Sequence, residues 1–202
     1  IKDLTEVINQ DSSQHIAFFN LGFCKQLNND FDQAIDLYSA AIRLDYNDAF
    51  SFNNRGICYT ELKDYPRAII DFSKAIKRNS KVIEFYKNRA EAYEKNGNYK
   101  KAITDLTKFL KKNTCEDALS KRAYLRYLLG NYKLAIKDYE KLSKVFQQDN
   151  SRILLNAKRL QQEIDDQKVE KENELKRKEE EEKIQYRNKL SLFAEFNTDL
   201  DV

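Results

Sequence analysis

The chain has 202 residues, 34% charged and 41% hydrophobic, with four Gly, one Pro and a net charge of +3. That balance supports packing with much exposed helix, and so few Gly and Pro argue against an all-β or α/β fold rich in tight turns. No apolar run is long enough to cross a bilayer and no signal-peptide pattern opens the chain. The three Cys lack regular close spacing, which favours a reducing compartment over a disulfide framework.

The first segment, residues 1–14, places Ile1, Leu4 and Ile8 at helical spacing with no capping residue ahead of them. An internal repeat in the rest of the chain explains that start. FNLGFCKQLNNDFDQAIDLYSAAI aligns on FNNRGICYTELKDYPRAIIDFSKAI with a shift of 34, Gly22 falling on Gly56. YKNRAEAYEKNGNYKKAITDL comes after another 34 with Ala90 in the Gly place, and LSKRAYLRYLLGNYKLAIKDY 33 later with Ala123 there. Four units result, at 15–48, 49–82, 83–115 and 116–149. A shift of 34 also carries Ile1 onto Ile35 and Ile8 onto Ile42, so residues 1–14 read as the second helix of a truncated preceding unit, and the chain as part of a longer array.

Each unit reads as two short amphipathic helices. The second starts with a cap (Asp30, Asp64, Asn98, Asn131), then an aromatic (Phe31, Tyr65, Tyr99, Tyr132), then Ala-Ile starting three residues further on. The cap side chains are expected to accept from the orphan N–H groups of the following turn. Gly22 and Gly56 allow close helix approach, Gly97 and Gly130 end first helices, and Pro66 sits in a first turn where its missing N–H costs nothing.

This pattern resembles the tetratricopeptide repeat family, on Phe18, Leu21, Gly22, Ala34 and Tyr38 in the first unit and Phe52, Gly56, Tyr59, Ala68 and Phe72 in the second. The third keeps Tyr86, Tyr93 and Ala102, the fourth Ala135 and Tyr139. There is no Trp, and Tyr46, Ser80 and Thr114 replace the Pro usual at a repeat's end. The resemblance implies a right-handed, all-α solenoid of antiparallel helix pairs.

After the repeats, residues 150–164 carry Ile153, Ala157, Leu160 and Ile164 on one stripe, as expected of a capping helix. Over 165–189 the stripe fails, and pairs such as Glu172→Lys176 and Glu174→Lys178 support a charged helical spacer. A coiled-coil strand is the other reading, although apolar heptad positions are missing. The tail 190–202 holds Leu190, Leu192, Phe193 and Phe196, which must dock on this chain or on another subunit.

Nothing in the sequence assembles catalysis, a metal site or a cofactor site. His15, the single His, lies at a repeat boundary, Cys24 and Cys58 share a core position, and Cys115 sits in an inter-repeat turn. There is no Gly-rich phosphate loop, and no small-molecule substrate or membrane partner is indicated. The expectation is a non-enzymatic protein-interaction scaffold.

In the family the first helices line a concave groove. Helical spacing assigns to it Ile16, Phe19, Asn20 and Phe23, then Phe50, Asn53, Asn54 and Ile57, then Lys87 and Asn88, then Lys121 and Tyr124. Asn20, Asn54 and Asn88 would form an amide ladder ending at Lys121, with Phe19, Phe23 and Phe50 as apolar anchors for a partner peptide or helix. The family's chaperone-binding members hold a carboxylate with Lys and Asn, then Asn, then Lys and Arg. Neither possible frame completes that clamp here, which argues against a Hsp70/Hsp90 co-chaperone.

Charge is uneven. Residues 74–144 carry 19 basic and 8 acidic side chains, against 6 and 11 before them and 11 and 14 after. A belt of Lys74, Lys77, Arg78, Lys108, Lys111, Lys112 and Lys141 on second helices and their ends is expected to meet an acidic partner surface, such as that of a cytoskeletal polymer. A subunit of a larger cytoplasmic assembly, cytoskeletal or ciliary, would fit. The alternative is a nucleic-acid-binding solenoid, disfavoured because no aromatics interleave with the basic residues.

Overall fold

The computed structural model describes residues 14–146 and 151–198, the side chains of 187–198 excepted. The expected half-repeat at 1–14 falls, but for Gln14, outside the described residues. The chain divides into two units, residues 1–150 and 151–202.

The first unit is a run of helix pairs: α1 (Gln14–Leu27) with α2 (Phe31–Leu44), α3 (Ala49–Glu61) with α4 (Tyr65–Arg78), α5 (Glu84–Lys95) with α6 (Tyr99–Leu110), and α7 (Glu116–Leu128) with α8 (Tyr132–Phe146). Each helix packs on the next, and the first helices also meet across repeats, α1 on α3 and α3 on α5. The spacing of apolar residues explains this stacking. Ala34, Ala68, Ala102 and Ala135 are fully buried in the second helices, small enough to let a first helix lie close. Tyr38, Phe52, Phe72, Phe85, Leu106 and Phe109 fill the space between.

The turn inside each pair is the same. The cap N–H donates back five residues, as in Asp30 to Lys25 O and Asn98 to Tyr93 O, and the residue before the cap is left-handed. That residue is Asn29 (φ 62), Lys63 (φ 62), Gly97 (φ 74) or Gly130 (φ 71). The expected side-chain caps need correction. Asp64 accepts from the Arg67 N–H, but Asp30 and Asn98 make no such bond, and Asp30 pairs with Lys25 at 3.4 Å. The αL turn already fixes the chain reversal, and the backbone C=O of each cap residue accepts from the Ala N–H four residues on.

Lys63 carries a Cβ in a conformation that suits Gly, at a cost of about 1 kcal/mol. Lys63→Gly should therefore raise the urea midpoint, and Gly97→Ala should lower it by a similar increment. No change in either would mean that the turn relaxes freely.

The second unit holds α9 (Ser151–Thr198), 48 residues of continuous helix. It runs without a break through residues 164 and 189. Residues 165–186 are mostly exposed and hold the Lys183–Glu180 pair, while the Arg159–Glu163 pair and the Gln161–Asp165 and Gln162–Asp166 hydrogen bonds lie at or before the start of that stretch. The side chains of the tail residues Leu190, Leu192, Phe193 and Phe196 lie outside the described part.

Candidate interaction groove

Three arginines lock the repeats that build the groove. Arg55 on α3 donates from Nε and Nη2 to both oxygens of Asp71 on α4, at 2.7 and 2.9 Å, and from Nη1 to Ser39 Oγ on α2 at 2.8 Å. Arg89 repeats this with Asp105 (2.7 and 2.9 Å) and Ser73 (3.0 Å). Arg122 repeats it with Asp138 (2.9 and 2.7 Å) and Thr107 (3.3 Å), and Arg126 adds a bond to Asp138 at 2.6 Å. Each of the three guanidinium groups thus joins one first helix to its own second helix and to the second helix of the repeat before. Burial works against the Arg55 and Arg89 charges, but the bidentate bonds to Asp71 and Asp105 outweigh it and hold both above their ordinary range. Reading by periodicity misses these bridges. Their signal is present in NRG, NRA and KRA, each followed 16 residues later by Asp.

The groove residues divide into two halves. In the first, Ile16, Phe23 and Phe50 are about half exposed, at 51%, 44% and 50%. Phe19 is partly buried against Tyr38 (centroids 5.7 Å), and Phe50 meets the buried Phe85 edge-on at 5.6 Å. A cleft of about 350 Å³ opens between α1 and α3, lined by His15, Ile16, Phe19, Asp48 and Phe50. Its rim is fixed by Asp48, which caps α3 by accepting from Phe50 N at 2.9 Å and from Ser51 Oγ. His15 thus lies at the cleft, a place its position in the sequence did not indicate.

The amide ladder takes another form than expected. Asn20 is exposed. Asn88 Nδ2 donates to Asn53 Oδ1 at 2.9 Å, Asn53 Nδ2 to Asn54 Oδ1 at 3.1 Å, and Asn54 Nδ2 to Tyr38 OH at 3.3 Å. The amides therefore bond to one another across α3 and α5. Asn53, almost buried, is the centre of that chain, and Ile57 packs in the core with Ala68, Phe72 and Ala92.

The second half is charged and largely self-paired. Lys87 and Lys121 both lie 3.7 Å from Asp117, and Lys95 lies 3.0 Å from Glu91. A cleft of about 380 Å³ here is lined by Glu91, Glu94, Lys95, Tyr99, Lys121, Tyr124, Leu125 and Leu128, with Tyr124 half exposed. Burial raises the Glu94 carboxyl above its ordinary value.

The belt also needs correction. Arg78 is held in place: its Nε donates to Tyr46 O at 2.6 Å, its Nη1 to Lys74 O at 3.0 Å, and its guanidinium lies 4.2 and 4.1 Å from the Tyr46 and Phe52 ring centres. Lys74 lies 5.4 Å over Phe52 and Lys108 5.1 Å over Tyr86. Aromatic rings do interleave with the basic residues, because a long cationic stem lies well on a flat ring. Lys77, Lys108, Lys111, Lys112 and Lys141 are exposed.

All three thiols are free, and burial pushes the Cys58 thiol up to about 12. Among the described residues no group of His, Cys, Asp and Glu could hold a metal ion, and no helix is long and apolar enough to cross a membrane.

Sequence profiles described as tetratricopeptide repeat match residues 16–45, 49–82 and 87–150. The chain belongs to the tetratricopeptide repeat family. Its fold is that of the family's solved members. MamA from Desulfovibrio magneticus RS-1 matches with a TM-score of 0.65 at 14% identity, over 73% of this chain and 84% of that one. YrrB, described as a tetratricopeptide repeat protein with an unusual peptide-binding site, matches with a TM-score of 0.65 at 18% identity, over 70% and 73%. The first such domain of Spaghetti (RPAP3), solved bound to the HSP90 peptide SRMEEVD, matches with a TM-score of 0.56 at 22% identity, over 60% and 98%. No curated protein sequence matches significantly. Tetratricopeptide repeats are protein-interaction modules, and this chain is an α-solenoid of that kind.

Proposed function

We propose that the chain is a non-enzymatic scaffold that binds an extended or helical partner segment in its groove, anchoring an apolar side chain between α1 and α3. The observation that carries this is the exposure of Ile16, Phe23 and Phe50 on one face, beside a cleft with a mostly apolar lining. Three apolar side chains left half open on adjacent first helices suit a partner's anchor residue better than they suit water. A solved domain of the same fold is bound to a peptide, which supports a peptide-binding role. The partner differs in chemistry from an acidic C-terminal peptide, because Lys87 and Lys121, the groove lysines of the later repeats, are drawn to Asp117.

The same reading gives the basic middle repeats to an acidic partner surface within a larger assembly, such as a cytoskeletal one. Three free thiols suit a reducing compartment such as the cytoplasm.

Selection from a displayed peptide library tests the groove. Selected peptides should share a large apolar anchor, and Phe23→Ala and Ile16→Ser should each weaken them by about tenfold, the effect of a small hot spot, with the circular dichroism unchanged. Peptides without a shared anchor, or variants that bind like the parent, would overturn the reading.

A further inference from the structure

The outer faces of α6 and α8 carry the same lysine pattern. A shift of 33 places Lys108 on Lys141 and Lys111 on Lys144, while Lys100 and Lys137 extend the two rows. All six are exposed. Steps of three, four or eight residues keep each row on one helix face, its charges about 5–12 Å apart along the axis. Among the described residues none of the six lies within ion-pair distance of a carboxylate. Of the three acids on α6 and α8, Asp105 and Asp138 are buried on Arg89 and on Arg122 with Arg126, which leaves Glu140 as the exposed one among the lysines.

We propose that these two faces form a docking surface for a glutamate- and aspartate-rich polypeptide segment. The proposal rests on the scaffold reading and names both the partner's chemistry and the residues. It moves the contact away from Lys74 and Arg78, which are held against Phe52 and Tyr46, to a set in which Lys108 alone lies over a ring.

Charge complementarity selects an anion, and the kind of cation selects a polypeptide. The arginines of these two repeats are committed inside, so the outward set has no guanidinium fork for bidentate phosphate contacts. Tyr86, the ring beside the set, lies under Lys108 and is not free to stack a base. Ammonium groups at three- and four-residue steps match carboxylates repeated at those steps on an acidic helix. Such a contact stays hydrated, raises the association rate and weakens with salt.

The test uses the full chain and a fluorescent glutamate-rich helical peptide, with duplex DNA of equal charge and phosphatidylserine vesicles as competing arms. The peptide should bind in low salt and weaken steeply as salt rises. The variant K137E/K141E/K144E should lose about tenfold or more in affinity. K168E/K171E/K176E, an equal charge change on exposed sites of α9, should lose much less. Equal losses in the two variants, absence of peptide binding, or tighter binding of the DNA or the vesicles would each overturn the proposal. A groove-selected peptide should bind K137E/K141E/K144E as it binds the parent, so failure of the groove reading registers separately.

Discussion

Arg89→Leu should destabilise the protein by about 3–5 kcal/mol, among the largest effects of any single substitution in it. Asp105 is 2% exposed and accepts both its charged bonds from Arg89. Removing the guanidinium leaves a buried carboxylate unpaired. Ser73 is not orphaned, because its Oγ also donates to Ile69 O at 2.7 Å, so the loss falls on the ion pair. The first repeat points to a repair. Leu21 and Leu37 occupy the places of Arg89 and Asp105 there, two shifts of 34 away, and Leu21 is buried. The double variant Arg89→Leu/Asp105→Leu should recover most of the lost stability, as apolar replacements of buried pairs often do. Urea unfolding of the four members of the cycle gives the coupling. A double variant no better than Arg89→Leu would mean that the bridge specifies this interface in a way that packing alone does not replace.

Gly56→Ala should cost about 1–3 kcal/mol through overpacking. A Cβ there would stand 2.9 Å from the Phe72 ring, and the ring is fully buried with no room to turn. Repeat three again shows the compensated form, with Ala90 and Leu106 in the corresponding places. Gly56→Ala/Phe72→Leu should accordingly be more stable than the sum of its single changes predicts. Strict additivity would show that the ring moves aside at little cost. The fourth repeat takes a third solution, Ala123 with Tyr139, whose buried hydroxyl has no hydrogen-bond partner among the described residues and is pushed up to about 12 by burial.

The fold was legible because its determinants are local and repeated. Ala34, Ala68, Ala102 and Ala135, with the aromatic three residues ahead of each, recur at steps of 34, 34 and 33 and need no tertiary knowledge to find. The left-handed turn residues recur too, but Asn29 and Lys63 hid the register that Gly97 and Gly130 display, since side-chain chemistry does not reveal φ. The groove was less legible. Periodicity places Phe19, Asn53 and Ile57 on its face, but how deep each lies depends on the neighbouring helix. Phe19 turns to Tyr38, Asn53 to Asn88, and Ile57 into the core. For the belt, counting charges located the basic repeats without showing which cations were engaged. Arg78 is long enough to reach the Tyr46 ring across the repeat boundary and Lys74 the Phe52 ring within its own repeat, whereas Lys137 and Lys144 are exposed and lie over no ring.

The central claim is that the partner segment enters between α1 and α3. Chemical-shift mapping with a library-selected peptide tests it most directly. The account predicts that the signals of Ile16, Phe19, Phe23 and Phe50 shift together on titration, while those on the outer faces of α2 and α4 stay in place. Shifts confined to those outer faces, with the four groove residues unmoved, would contradict it.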